Sequence, residues 1–374
     1  MIRCLHLADL HLGWTADFLG EKAEEYVLQR DGLLGRICEF ALQPDQQIGL
    51  VLIVGDLFET HRPATGLVES VIADLARLTR AGISVVTVPG NHDEITYHDS
   101  VYRRYADRWP GLLVTNPLPG EPLQLTVQGE DVYLYSLAYT GGLTRVTDYL
   151  QPQPRLTAEG IHVGAFHGSL DWATSERGLP LSSELLAAAG YDYVALGHFH
   201  APRQLQRGQT TLAYAGAVES KGFSDLGCGQ LTLVDLAPGT VQLSQVRCPV
   251  QPFRVVSIPV DEVDSREELV AQIAALADPA LALRVELEGA AEFLLEREQL
   301  SARLQQEFFY LEIVDESLYL SDDLLQSWSQ EATVRGLYVQ RMLRRLHDAQ
   351  SAEEKQVLQL ALRRGMAAFL EGGA

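Results

Sequence analysis

Residues 85–93 read VVTVPGNHD. A run of β-branched residues comes first, then a Pro-Gly turn, then Asn91, His92 and Asp93. An apolar run without polar alternation suits a strand buried on both faces. Open α/β sheets place their sites at the C-terminal ends of such strands. The arrangement recurs along the chain. LHLADLHLG at 5–13 closes on Asp9 and His11, VLIVGD at 51–56 on Asp56, HVGAFHG at 162–168 on His167, and YVALGHFH at 193–200 on His198 and His200. One such end carries little weight; all of them in one chain predict a scaffold that gathers its polar strand ends.

The ligating inventory is Asp9, His11, Asp56, Asn91, His167, His198 and His200. Carboxylate and amide oxygens mixed with imidazoles suit Mn2+, Fe2+ or Zn2+ at a coordination number above four, and not a Cys-rich structural zinc site. This set is too large for one ion. With one bridging carboxylate it divides into two four-ligand sets, which predicts two ions about 3.5–4 Å apart. Asp-x-His and His-x-His put ligands two residues apart, so on an extended strand end both side chains leave on the same face.

The order D-x-H, GD, GNHD, H and GH-x-H resembles the calcineurin-like metallophosphoesterase superfamily. Within it, LADLHLG, GDLFETHRP, PGNHD and GHFH are similar to DNA-repair exonucleases of the SbcD type, and YAGAVESKGFSDLGCG at 214–229 resembles the segment after their last metal motif. The specific motifs cover residues 1–230. The resemblance implies an α/β fold: a four-layer α/β/β/α metallophosphoesterase sandwich over 1–250, a small α/β capping domain over 251–318, and a helical C-terminal tail over 319–374. It implies Mn2+ as the metal, with Mg2+, Fe2+ or Zn2+ as substitutes. It also implies 3′–5′ exonuclease or endonuclease action on DNA in double-strand-break repair or recombination, and an SMC-like coiled-coil ATPase of the SbcC type docked on the C-terminal helices. A homodimer through the 65–110 helices is a further implication. Asp9, His11, Asp56 and His200 would hold one ion; Asp56, Asn91, His167 and His198 the other. His92 is expected as general acid for the leaving 3′-oxygen, or as a cation steadying charge at the phosphorus. Asp93 is expected to orient it or offset its charge. One departure is visible: Glu59, shortly after Asp56, stands where some members carry a histidine.

At 374 residues, 47% hydrophobic and 21% charged, the chain can bury two or three domain cores. Cys4, Cys38, Cys228 and Cys248 form no CxxC pair, which predicts free thiols in a reducing compartment. The first strand opens the sequence without a signal pattern, and no apolar run reaches membrane-spanning length, so the expectation is cytoplasmic with no membrane partner. There is no P-loop and no Ser or Cys nucleophile motif, so ATP hydrolysis would come from a partner. The net charge of −21 runs against a general DNA binder. Residues 253–320 hold 15 acidic against 5 basic side chains, so −10 of that total is displaced from the motifs. Divalent ions would add positive charge where a phosphate must sit. Weak intrinsic DNA affinity, with a partner supplying much of the grip, is the expectation. Two other functions share these motifs: hydrolysis of a small-molecule or protein phosphoester, and non-catalytic bridging of DNA ends. LFETHRP after GD, in place of an Asp-Arg-Gly turn, speaks against a phosphoprotein phosphatase. A complete ligand set with His92 speaks against a scaffold.

In chain order, strands are expected at 2–8, 49–55, 83–88, 161–166 and 191–197, and helices at 17–42, 65–81 and 183–189. Such βαβ alternation gives a parallel core. Arg30 and Asp31 read as a solvated helix face, and His61, His98 and Arg62 as surface loop residues. VYRRYADRW at 101–109 reads as a helix packing Tyr102, Tyr105 and Trp109, with nucleic-acid stacking as the alternative. LQLTVQGEDVYLYSLAY at 123–139 alternates about a Gly-Glu-Asp turn and predicts a hairpin. GLTRVTDYL at 142–150 reads as a helix near the site, and SERGLPLSS at 175–183 as a polar loop. Strands at 211–215, 229–236 and 240–247 are expected to close an antiparallel part of the sheets. Residues 253–316 read β-α-β-α-β, with Ser265 and Glu268 as a capping box. The helices of 322–371 carry apolar stripes that either pack on this chain or dock a partner.

Overall fold

The computed structural model describes residues 1–141, 148–171, 178–291, 293 and 295–371. The chain divides into two compact units, Met1–Gln251 and Pro252–Ala374. Strands of the first unit are β1 Ile2–Leu7, β2 Ile48–Val54, β3 Ser84–Val88, β4 Leu112–Leu113, β5 Leu123–Val127, β6 Glu130–Ser136, β7 Ile161–Leu170, β8 Leu179–Leu181, β9 Tyr193–Gly197, β10 Arg203–Arg207, β11 Thr210–Tyr214, β12 Gln230–Ala237 and β13 Thr240–Arg247. They form two sheets, ordered β13-β12-β1-β2-β3-β4 and β10-β11-β9-β7-β6-β5, with β8 paired to β7. The centres are parallel: β1-β2-β3-β4 in one sheet and β6-β7-β9-β11 in the other. The edges are antiparallel, through β12-β13 and through β5 and β10. So 211–215 joins the second sheet in parallel to β9, while the two later strands form the expected antiparallel part, β12 beside β1 and β13 beside β12.

The period of two explains the layers. In β6, Val132 and Leu134 enter one core while Tyr133 and Tyr135 enter another; in β7, Ile161, Val163 and Ala165 face the first and Phe166 the second. The first core lies between the sheets and also takes Leu50, Leu52 and Val86. Helices Leu33–Ala41 and Thr65–Arg80 cover the outer face of the first sheet through Leu34, Ile37, Val68 and Leu75, and helix Ser183–Ala188 covers the second through Leu186. This is the four-layer α/β/β/α sandwich.

Several local expectations shift. The 17–42 helix breaks into a 3-10 turn at Asp17–Lys22 and helices Ala23–Asp31 and Leu33–Ala41, divided at Gly32, a poor helix residue. The hairpin turns at Gln128-Gly129, with φ of 50° and 85°, one residue early, leaving Glu130 and Asp131 in the strand. Strand β7 runs on through His167 to Leu170, and Leu179–Leu181 of the expected polar loop is a strand against it. Residues 142–147 and 175–177, which carry most of the expected 142–150 helix and the start of that loop, lie outside the described residues. Tyr102, Tyr105 and Trp109 are buried, as the packing reading of 101–109 has it. His98 is exposed, Arg62 pairs with Asp99 at 2.8 Å, and His61 stacks on Tyr97.

The second unit has a three-stranded parallel sheet of β14 Phe253–Pro259, β15 Asp278–Glu288 and β17 Phe308–Asp315, with the short pair β16 Ala290–Ala291 and β18 Leu318–Tyr319. Helices Arg266–Ala274 and Arg297–Leu304 pack on it. Ser265 caps the first by accepting from Glu268 N at 3.2 Å. Three helices follow, Asp322–Ser329, Val334–Asp348 and Ala352–Glu371. Their stripes close on each other and on this unit, burying Val339, Met342, Leu358, Leu362 and Met366 with Ala290 and Leu320. Arg363, also buried, donates to Val263 O at 3.0 Å. Among the described residues no helix is long and apolar enough to cross a membrane.

Candidate metal centre

The ends of β1, β2 and β3 are laced by their backbones. Gly55 N donates to Val88 O, Asp9 N to Gly55 O and His11 N to Asp56 O, at 2.9, 3.1 and 2.9 Å. The turns are left-handed at residues that rarely accept it: φ is 55° at Asp9, 47° at His11, 51° at Asp56 and 107° at His198. Such strain persists where surrounding structure over-determines it, and it concentrates at functional sites. Close approach adds a second constraint. A Cβ on Gly90 would lie 2.2 Å from Asp56 Oδ1, and one on Gly197 2.0 Å from Val54 O.

These turns bring all the expected ligating residues together in two groups. In the first, His11 Nε2 lies 3.1 Å from His200 Nε2 and 3.8 Å from Asp56 Oδ2. The far nitrogen of each ring faces a carboxylate: His200 Nδ1 is 2.7 Å from Asp225 Oδ2, and His11 Nδ1 is 2.8 Å from Glu59 Oε2. Protons at the two Nδ1 positions leave two Nε2 lone pairs facing each other. In the second group, His167 Nδ1 donates to Val54 O at 3.0 Å, which turns its Nε2 toward Asn91 Oδ1 at 2.9 Å and Asp56 Oδ2 at 3.3 Å. His198 Nδ1 is 3.0 Å from the same Asn91 Oδ1. Asp9 accepts from His198 N with both oxygens, at 3.0 and 3.1 Å.

Facing acceptors repel unless a proton or a metal cation lies among them. Ligands about 2.1 Å from one ion and at right angles stand about 3 Å apart, which is the spacing found. Three sets of ligand atoms lie within 4.8 Å of one another: Asp9, His11 and His200; His11, Asp56 and His92; Asp9, Asp56 and His167. The donor set therefore fits divalent ions. Asp9 as well as Asp56 belongs to two of these sets, so the single bridge expected from the sequence has a second carboxylate beside it.

Burial opposes charge on His200, but Asp225 and Asp9 raise it, so without ions this ring favours a proton where a cation would sit. Burial would raise the Asp56 carboxyl, but His167, with His11 and His92, holds it well below the usual carboxylate range. Burial lowers His198 to about 4 and His11 in the same direction, so both rings are neutral and can coordinate at neutral pH. Burial also opposes charge on His167, yet Asp56 beside it reverses that and pushes it up to about 9. The pair calls for positive charge at the position between them.

His92 sits at the rim, with its side chain 30% exposed. Its backbone N donates to Asp56 Oδ1 at 2.9 Å. Its Nδ1 lies 3.0 Å from Glu59 O and 3.5 Å from Glu59 Oε1, and this partner raises its pKa against burial. The orienting group expected in Asp93 is thus supplied by Glu59. Asp93 is fully buried and braces the turn instead, accepting from Gly90 N at 2.7 Å, Phe58 N at 3.1 Å and Tyr102 Oη at 2.6 Å. Burial and Asp56 push it up to about 6.

Sequence reasoning missed the residues behind the ligands. Asp225 and Lys221 come from the 214–229 segment: Asp225 backs His200, and Lys221 Nζ meets Glu59 Oε2 at 2.7 Å. Arg30, expected on a solvated face, has no exposed surface. Asp31 accepts from Gly13 N at 2.8 Å, at the close of the first motif.

The chain belongs to the calcineurin-like phosphoesterases, whose family model matches residues 2–202. Among curated proteins it is similar to the SbcD component of the SbcCD nuclease of Bacillus subtilis, at 25% identity over 64% of this chain and 67% of that one. It is also similar to the DNA double-strand break repair protein Mre11 of Aeropyrum pernix, at 27% identity over 67% of this chain and 62% of that one. An uncharacterized metallophosphoesterase of Bacillus subtilis, YhaO, is 23% identical over 52% of this chain and 47% of its own. The matches span between about half and two thirds of these relatives' lengths. Among solved structures, the TT1561 protein of Thermus thermophilus aligns over 66% of this chain and 99% of its own, at 13% identity and a TM-score of 0.39.

Proposed function

We propose that this metallophosphoesterase is a two-ion phosphodiesterase that cleaves DNA, as exonuclease or endonuclease, in the repair or recombination of double-strand breaks. The observation that carries the chemistry is the convergence of two imidazole nitrogens, His11 Nε2 and His200 Nε2 at 3.1 Å, beside Asp56. The similarity to the SbcCD nuclease component and to Mre11 proteins supports DNA as the substrate. Asp9, His11, Asp56 and His200 hold one ion, and Asp56, Asn91, His167 and His198 the other, with Mn2+ as the physiological metal. Such ions supply positive charge to a phosphate and lower the pKa of water. Glu59 fixes Nδ1 of His92, so the ring presents Nε2 at the exposed rim, where it gives a proton to the leaving oxygen. Asp93 and Tyr102 hold the GNHD turn that aims it. The acidic chain leaves DNA affinity to a partner, an SMC-like ATPase docked on the C-terminal helices, in the cytoplasm; a homodimer through the 65–110 helices belongs to the same reading.

The test is cleavage of end-labelled duplex, hairpin and single-stranded DNA by the purified chain with Mn2+, Mg2+ or EDTA, beside a chromogenic phosphodiester. DNA degradation with Mn2+, absent in EDTA, is expected. His92→Ala lowers it about 10²–10⁴-fold with Mn2+ binding retained. Turnover of the chromogenic ester with intact DNA, also when an SbcC-type ATPase is added, would overturn the DNA assignment in favour of a small-molecule phosphoester.

A further inference from the structure

We propose that Arg30 is a positioning residue of the metal centre: a buried cation that fixes the turn carrying His11 against the segment carrying Asp225. This rests on the two-ion reading above. The Arg30 guanidinium donates to Leu10 O at 3.3 Å, between Asp9 and His11. It also donates to Glu219 O at 3.2 Å, to Ser220 O, and to Tyr26 Oη at 3.0 Å. The next residue, Lys221, places its ammonium on Glu59, whose Oε2 faces His11 Nδ1. The Lys221 N–H and the His200 ring both meet Asp225 Oδ2, at 3.2 and 2.7 Å. One guanidinium therefore ties the backbone beside His11 to the segment whose Asp225 backs His200.

The chemistry explains why an arginine is needed. Residues 219–228 have neither helix nor strand, so their buried carbonyls need partners from elsewhere. A planar fork of donors can reach three carbonyls from two segments at once; an ammonium cannot match that geometry. Burying the charge is costly unless it is compensated. Glu219 is buried nearby; burial raises its carboxyl, and Arg30 and Arg36 offset part of that rise. Trp14 adds a ring 5.0 Å from the guanidinium and 5.6 Å from Lys221 Nζ, so the two cations share one aromatic face region. A helix that only packed would have no use for a buried charge aimed at two loops of the site.

The experiment is a calorimetric titration of Mn2+ alone into the full chain. R30M/E219Q removes the buried cation and the buried carboxyl together, while Arg36, 3.7 Å from Glu219, keeps its contact with solvent. R30K keeps the charge and loses the fork, and serves if the double variant does not fold. Wild type is expected to take two ions. A variant with native far-UV circular dichroism is expected to bind one ion as wild type and the other about 10–100-fold more weakly. Adding D225N should worsen that weak site little, because both act through His200, whereas N91A should reduce the other site independently. Wild-type affinity for both ions in a folded variant, or equal weakening of both, would overturn the positioning role. A wild-type chain that takes fewer than two ions would overturn the two-ion reading and this inference with it.

Discussion

The molecule contains two parallel sheet centres with different fates. Strands β1, β2 and β3 of the first unit and strands β14, β15 and β17 of the second are both parallel and both linked through helices. Among the described residues, non-glycine left-handed backbone occurs only in the first unit, as do the three side-chain clusters that could hold a metal ion. Hydrophobic periodicity builds either sheet. What makes a site is the departure from it at the strand ends, where Asp9, His11 and Asp56 occupy strained turns and glycine lets Asp56 pass. The second unit ends its strands in ordinary loops and carries acidic surface instead.

The comparison can be broken most severely at Asp56, which faces both histidine groups. Asp56→Ala should lower phosphodiester turnover about 10³-fold or more and remove Mn2+ from both positions, read by steady-state kinetics and calorimetry. Gly90→Ala tests whether the close approach matters. Its methyl would press on the Asp56 carboxylate at 2.2 Å and on the Asp56 backbone N at 2.4 Å, so the turn must shift; a misplacement of about 1 Å should cost about 10²-fold in turnover per folded molecule. Glu59→Gln keeps the shape but removes the charge behind His11 and His92. A loss of about 10–100-fold in turnover or Mn2+ affinity is expected, and no change in either would refute its orienting role. Leu283→Ala, in the buried centre of β15, sharpens the contrast from the other side. It should cost about 2–5 kcal/mol of stability in the second unit, read by denaturant unfolding. Turnover of a small chromogenic ester per folded molecule should be unchanged.

The candidate ligands were legible because each announces itself locally, as an apolar run with a polar end. Strand β3 and its GNHD turn need no knowledge of the rest of the chain. What supports them was not legible, because it depends on contacts far apart in sequence. Arg30 meets Ser220, and Lys221 meets Glu59, across 190 and 162 positions. A lone arginine in a helix pattern reads as solvated, since nothing local reveals a carbonyl waiting for it. Asp93 misleads for the opposite reason: adjacency to His92 in sequence suggests contact, yet the turn sends its carboxylate inward to Tyr102. The break at Gly32 follows a residue whose helix cost is visible, but the apolar spacing across it masks the stop. In the C-terminal helices the stripes were legible and their occupant was not; within this unit they are covered by each other.

Diffraction from Mn2+-loaded crystals at the manganese absorption edge tests the central claim most directly. The account predicts two anomalous peaks about 3.5–4 Å apart. One would lie on His11 and His200, the other on Asn91, His167 and His198, with Asp56 reaching both. A single peak, or two that leave the His11–His200 gap empty, would contradict it.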